Sequence, residues 1–197
     1  MIRSSKSLLA LAALASLSGC ISFAAKPPPF LLTLTSATTL PVNQTQSSST
    51  APTITIQVPA VAQAIAGVRI PVQASQTSIA YVADAQWVEP PARLFARLLS
   101  DTLPPRTGRI VLSSAQSFSD PGAVLSGEIR SFGVDAGTKT AVVTFDGALI
   151  RSTGKVVEKR RFEARVPVGT IAAGPVGVAL NQATNQVAVE VADWVGR

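Results

Sequence analysis

The sequence contains no histidine, and this absence excludes more chemistry than any other feature of its composition. Without histidine there is no Ser-His or Cys-His nucleophile pair and no histidine general base, and the commonest metal ligand is missing. A single cysteine, Cys20, excludes an internal disulfide and a cysteine-based zinc site. We therefore predict a protein that is not an enzyme and needs no cofactor, and a hydrolase is disfavoured.

Charged residues are also scarce, at 14% of the chain, and aromatic residues make up 5%, whereas apolar residues reach 47%. The 197 residues suffice for one domain with a buried core plus an export segment. The net charge is +6, and its one dense stretch comprises Lys159, Arg160, Arg161 and Arg165. Such a stretch binds nucleic acid in some proteins, but we interpret it as a solvated strand face and predict no nucleic-acid partner.

The first twenty residues have the parts of an export signal. Arg3 and Lys6 supply positive charge, and the apolar run that follows over 8–17 is too short to cross a bilayer. Small residues then lead to Cys20. We predict a cleaved signal peptide over 1–19; an ordinary secretory signal with a chance cysteine is the alternative.

The sequence LSGC at 17–20 resembles the lipobox of bacterial lipoproteins. The resemblance implies that the mature chain begins at Cys20 and that its thiol carries a lipid, which anchors the protein to a membrane. Residues 20–29, with prolines at 27–29, then form a tether. Because Ile21 is not the aspartate that retains lipoproteins at the inner membrane, we expect the periplasmic face of the outer membrane.

The remaining pattern predicts an α+β domain over 30–197, with a mostly antiparallel sheet and two main helices packed on it. Segments rich in β-branched and other apolar residues predict strands over 30–35, 53–58, 70–72, 79–82 and 109–113, followed by an antiparallel meander over 123–134, 139–151 and 154–166. The polar segment 36–52 is predicted to be flexible, 60–67 to form a short helical turn and 169–177 to form a loop.

The two main helices are predicted from apolar stripes at helical spacing. The first covers 90–103 and is expected to end at Pro104 and Pro105. The second covers 178–195, and its core face is formed by Leu180, Thr184, Val187, Val191 and Trp194.

Tyr81 and Trp87 stand out because aromatic residues are few. At the corner between a strand and a helix, such side chains form an interface anchor or contact lipid. The alternative is that Trp87 covers the start of the helix and fills the core.

Several of these segments, taken together, resemble the ABC-type transport auxiliary lipoprotein family. The segments are the lipobox, the FLLTL run, Ile56-Gln57-Val58-Pro59, Ile79-Ala80-Tyr81, Trp87-Val88-Glu89-Pro90, the later strand over 125–132 and the long final helix. The block from Tyr81 to Pro90 is the most specific, and the resemblance makes Tyr81, Trp87, Glu89 and Pro90 candidate partner-binding residues. The Ala-rich segment over 60–78 departs from the family pattern.

The resemblance implies a non-enzymatic adaptor of a system that moves phospholipids or other hydrophobic molecules between the inner and outer membranes. Its partners would be an MCE-domain protein and the associated ABC transporter, and the adaptor itself would form a ring of identical copies. A structural or assembly lipoprotein for an outer-membrane complex is the alternative.

Overall fold

The described residues form eight strands and three helices. The computed structural model describes residues 28–113, 115–118, 122–151 and 156–197. The strands are β1 (Thr53–Ile56), β2 (Ala60–Val61), β3 (Arg69–Ser75), β4 (Ser78–Gln86), β5 (Ile110–Leu112), β6 (Ala123–Asp135), β7 (Thr140–Ile150) and β8 (Val157–Pro167). The helices are α1 (Gln63–Ala66), α2 (Pro91–Thr107) and α3 (Ala173–Val195), and a 3₁₀ turn covers Gln116–Phe118.

The sheet is mixed, so the prediction of a mostly antiparallel sheet is wrong. The hairpins β3–β4, β6–β7 and β7–β8 are antiparallel, but β1 pairs in parallel with β5. One edge of β6 is shared by β1, β2 and β3, and all three run parallel to it. Turn residues reveal the hairpins in the sequence, whereas parallel pairs need long crossovers that leave no local signal.

The meander and the two main helices confirm the predicted core. Helices α2 and α3 pack against one face of the sheet, and each member of the predicted stripe in α3 is buried. Four aromatic rings join these layers, with centroids 5.0 Å apart for Phe95 and Phe145, 6.4 Å for Phe145 and Phe162, and 5.5 Å for Phe162 and Trp194. We call the opposite side of the sheet the outer face.

Helix α2 continues past the two prolines that were expected to end it. It runs to Thr107, and Gly108 stops it in the left-handed region (φ 68°), donating its N–H to the carbonyl of Pro104 (2.9 Å). Leu103 and Pro104 are buried, and Arg106 of the last turn pairs with Asp193 of α3 (2.7 Å). Packing against α3 therefore outweighs the lost backbone hydrogen bonds.

Helix α3 begins at Ala173, five residues before the predicted start. The glycines and Pro175 of this segment indicated a loop. A proline in the first helical turn is tolerated because its missing N–H would have no partner in the helix there.

The predicted first strand over 30–35 is wrong. A single parallel bridge joins Leu32 to Trp87. Residues 31–38 instead form an extended strap across α2 and α3, with alternate residues half-buried. Two amides of α3 complete its backbone hydrogen bonds: Asn181 Oδ1 accepts from the Thr35 N–H (2.8 Å), and Asn185 accepts from Ala37 (2.7 Å) and donates to the Thr35 carbonyl (2.9 Å). Helix α2 adds Thr102, whose hydroxyl lies 3.0 Å from that of Ser36.

The other predicted strands are confirmed with shifted ends. Strand β1 stops at Ile56, two residues before the predicted end, whereas β4 covers nine residues instead of four. The short helical turn predicted over 60–67 is α1. Of the predicted flexible segment, residues 41–50 are exposed throughout. Cys20 and the signal peptide over 1–19 lie outside the described residues, as does most of the tether.

Candidate partner-binding surface

A groove of about 260 Å³ lies on the outer face, and sequence reasoning missed it. Its apolar walls come from four elements: Ile65 of α1, Pro71 of β3, Ile79 of β4 and Val142 of β7. Arg165 lies directly opposite Val142 in the β7–β8 register and adds a cation to the lining. Asp135 also lines the groove, so it offers apolar walls beside charges of both signs.

Close strand packing shapes this groove. A Cβ at Gly133 would lie 2.3 Å from the carbonyl oxygen of Pro71, so only glycine lets β3 approach β6 this closely. The signal in the sequence is Ile79, a large apolar residue at the tip of a hairpin, where it is 49% exposed. Ile79 is recognisable as part of a groove only when the tertiary structure places α1 and β7 beside it.

Tyr81 belongs to the outer face. It is opposite Pro71 in the β3–β4 register and two residues from Ile79, so its side chain lies on the same strand face as the groove wall. The ring is half-buried, and the guanidinium carbon of Arg69 lies 3.8 Å from its centroid. This cation–π contact holds Tyr81 beside the groove.

Trp87 belongs to the core. Its side chain is 1% exposed, and its ring meets that of Phe132 edge to face at 5.7 Å. Within the described part of the chain, the indole N–H has no hydrogen-bond partner. Trp87 therefore lies in the core at the start of the helix, as in the alternative interpretation from the sequence.

A bulge separates these two aromatic residues. Arg69 pairs with Gln86 and Pro71 with Tyr81, so a single residue of β3 faces four residues of β4. Asp84 within the bulge adopts a left-handed conformation (φ 50°), which aspartate tolerates better than most residues. Because of this bulge, the structure does not bring Tyr81 and Trp87 into one site.

Glu89 and Pro90 lie on the loop between the bulge and α2. Glu89 forms a salt bridge with Arg97 of α2 (2.5 Å). Pro90 immediately precedes the first residue of α2. The carbonyl of Pro90 accepts from the Arg93 N–H (3.0 Å). Both residues are half-buried, so they remain accessible in part and stay candidates for partner contact.

The basic stretch of β8 is a solvated strand face, as predicted. Arg161 donates from Nε and Nη2 to the two carboxylate oxygens of Asp146 (2.6 and 2.7 Å), and Arg165 donates to Glu163 (2.7 Å). The hydrogen bond from Arg161 lowers the pKa of Asp146 below its ordinary value. Arg165 first, and then the hydroxyl of Thr144, lower the pKa of Glu163. These acids neutralise much of the basic stretch.

Neither a metal centre nor a membrane-crossing helix is found in the described ranges. These residues contain no group of three or more aspartate, glutamate or cysteine side chains able to hold a metal ion. They also contain no helix of sufficient length and hydropathy to cross a bilayer.

Comparison with known proteins identifies the family. The family model described as ABC-type transport auxiliary lipoprotein component matches residues 32–192. A crystal structure of a DUF330-family protein from Xanthomonas campestris superposes with a TM-score of 0.67 at 19% identity, covering 84% of this chain and 93% of that one. A second, uncharacterized protein gives 0.64 at 16% identity, covering 74% and 93%.

No curated protein matches the sequence. The two solved structures share the fold at low sequence identity, and the family model covers the whole domain from the strap to the last turns of α3. The chain belongs to the family of ABC-type transport auxiliary lipoprotein components.

Proposed function

We propose that this protein is an outer-membrane-anchored adaptor of an MCE-type system that transports phospholipids or other hydrophobic molecules between membranes. The observation that carries the proposal is the family match over residues 32–192, since the family is an auxiliary component of ABC-type transport. The adaptor itself performs no reaction. An MCE-domain protein and its ABC transporter would be the partners, and a ring of identical copies is part of the proposal.

The outer face supports an adaptor over a lipid carrier. The groove is open to solvent, and the neighbouring charged depression of about 540 Å³ around Asp146 and Arg161 is open as well. A lipid tail lying in either would keep contact with water, at about 0.8 kcal/mol for each exposed CH₂ group. A protein segment with apolar side chains fits the groove better, because its side chains can cover the apolar walls while its polar backbone groups stay hydrogen-bonded to water.

The lipid anchor at Cys20 is part of the same proposal. Acylation would hold the domain at the membrane surface through the tether and the strap. A Cys20→Ala variant should lose metabolic labelling with a palmitate analogue and should retain residues 1–19. A variant that is still labelled and still processed would exclude Cys20 as the attachment site.

The partner is tested by photocrosslinking in living cells, with a photoreactive amino acid at Ile79 in the groove. Val157 on β8 is the matched control because its exposure, 48%, equals that of Ile79 within a percentage point. Recovery of an MCE-domain protein from position 79 and not from 157 is the expected result. The same experiment at Tyr81, Glu89 and Pro90 extends the test to the candidate residues.

Two other outcomes separate the parts of the proposal. Co-purification of an MCE-domain protein without a crosslink at 79 would support the adaptor role and exclude the groove. Failure to recover such a protein, together with loss of one outer-membrane protein on deletion, would favour the alternative of an assembly lipoprotein. Mass measurement of the purified lipoprotein in detergent tests the ring.

A further inference from the structure

Exposed apolar side chains surround the point where the tether enters the fold. Leu32 is the centre of this region: its N–H donates to the Gln86 carbonyl and its carbonyl accepts from the Val88 N–H, both at 2.8 Å. The side chains of Leu31 and Val88, on either side of this bridge, are 50% and 52% exposed. Leu31 therefore lies beside a second half-exposed apolar residue at the domain surface.

The alternation of extended backbone explains why these side chains face outward. Leu32 and Trp87 pair in the bridge and point towards the core, so their neighbours Leu31 and Val88 point to the opposite side. Phe30, immediately before Leu31 in the chain, is also half-exposed.

Helix α3 supports the strap from the core side. A Cβ at Gly177 would lie 2.7 Å from Cδ2 of Leu32, so the strap contacts the first turns of α3 at this glycine. We call Phe30, Leu31 and Val88 the apolar collar.

We propose that the apolar collar rests on the phospholipid leaflet in which the protein is anchored, so that the domain has one defined orientation at the membrane. The proposal rests on acylation of Cys20. Phe30 is ten positions after Cys20, which limits the distance between their Cα atoms to roughly 35 Å. The collar is the first part of the folded domain that this tether reaches, and tethering gives it a high effective concentration at the bilayer.

The charges beside the collar suit a lipid surface. Glu89 is paired with Arg97, so it presents little net negative charge to the headgroups. Arg93, exposed in the first turn of α2, adds a cation that anionic headgroups attract. Apolar side chains flanked by a cation are typical of surfaces that lie in the boundary between headgroups and acyl chains.

The test uses the full lipidated protein in vesicles of phosphatidylethanolamine with a minor share of phosphatidylglycerol. Acylation occupies the Cys20 sulfur, so L31C or V88C provides the single free thiol for an environment-sensitive fluorophore. V157C is the matched control, because Val157 is exposed to nearly the same extent and belongs to β8. Flotation with the vesicles establishes the anchor independently of the fluorophore.

The expected result is a blue-shifted emission at positions 31 and 88 that is quenched by lipids carrying bromine on the upper acyl chain, with no change at 157. Equal quenching at 157 would mean that the domain has no defined orientation and would overturn the proposal. Floating protein without quenching at 31 and 88 would overturn the collar contact and leave the anchor standing. Protein that does not float would overturn both.

A second copy of the chain is the other occupant that the collar could have. In that case the blue shift would not respond to the brominated lipids and would disappear when the protein is diluted among excess vesicles, which would overturn the proposal. Circular dichroism melts of the labelled variants check that each one is folded, and the exposure of all three positions makes cysteine a mild substitution there.

Discussion

Replacing Asn185 with alanine should release the strap without unfolding the domain. The carboxamide of Asn185 makes two of the hydrogen bonds that hold residues 31–38, one with the Ala37 N–H (2.7 Å) and one with the Thr35 carbonyl (2.9 Å). In effect the side chain takes the place of a neighbouring strand. The strap backbone is exposed there, so water replaces the lost partner in part.

The size of the effect follows from these two bonds. Each contributes about 0.5–1.5 kcal/mol net, and because water compensates in part we expect the strap to open more easily by about 1–2 kcal/mol. Hydrogen exchange of the Ala37 amide should therefore accelerate by about 5–30-fold. Global stability should change less, because alanine is favoured over asparagine in a helix interior by up to about 0.7 kcal/mol.

The assay is native-state hydrogen exchange followed by NMR, compared with the free energy of unfolding in urea. Gln186→Ala is the control, since it removes an amide from the neighbouring, exposed position of the same helix. If N185A leaves exchange at Ala37 unchanged, the carboxamide of Asn185 does not hold the strap, and the remaining contacts, such as that of Asn181 with Thr35, suffice. If N185A and Q186A accelerate it equally, the effect belongs to the helix and the reasoning is refuted.

Three further predictions concern the core, the groove and the charged face. Leu180→Ala should destabilise the domain by about 2–5 kcal/mol in urea unfolding, because Leu180 is fully buried between α3 and the sheet; a loss well below 1 kcal/mol would contradict this packing. Gly133→Ala should cost roughly 1–3 kcal/mol, since the added methyl meets the Pro71 carbonyl, and should abolish crosslinking at position 79 in the fraction that remains folded. The lowered pKa of Asp146 means that its pair with Arg161 contributes stability above about pH 4, the ordinary pKa of aspartate, and loses it as the pH falls through the lower folded value. Asp146→Asn should therefore reduce the difference in unfolding free energy between pH 6 and pH 3, by about 0.5 kcal/mol for so exposed a pair, and an unchanged difference would remove Asp146 from the acid response.

The two long helices and the meander could be predicted from the sequence because local patterns encode them. The stripe from Leu180 to Trp194 and the alternation along β7 reflect burial on one side of each element, and both recur in the structure. Element ends were less predictable. The prolines at 104 and 105 terminate isolated helices, but packing against α3 overrides this local preference.

The candidate residues divide according to how far each depends on tertiary placement. Glu89 and Arg97 are close in space because they lie near each other in the sequence, at the start of α2. The separation of Tyr81 from Trp87 cannot be read from the sequence, because it depends on a bulge at Asp84 that no turn motif indicates.

The sequence by itself determined the features that depend on its composition and on near neighbours along the chain: the exclusion of histidine chemistry, the amphipathic helices and the family to which the chain belongs. The export signal ending at Cys20 stays a prediction from the same local pattern. Only the tertiary structure decided that three strands share one edge of β6, that residues 31–38 cross the helices as a strap, and that a groove opens on the outer face. The physical reason is that these features join residues up to about 150 positions apart, so their energy comes from contacts that no local pattern records.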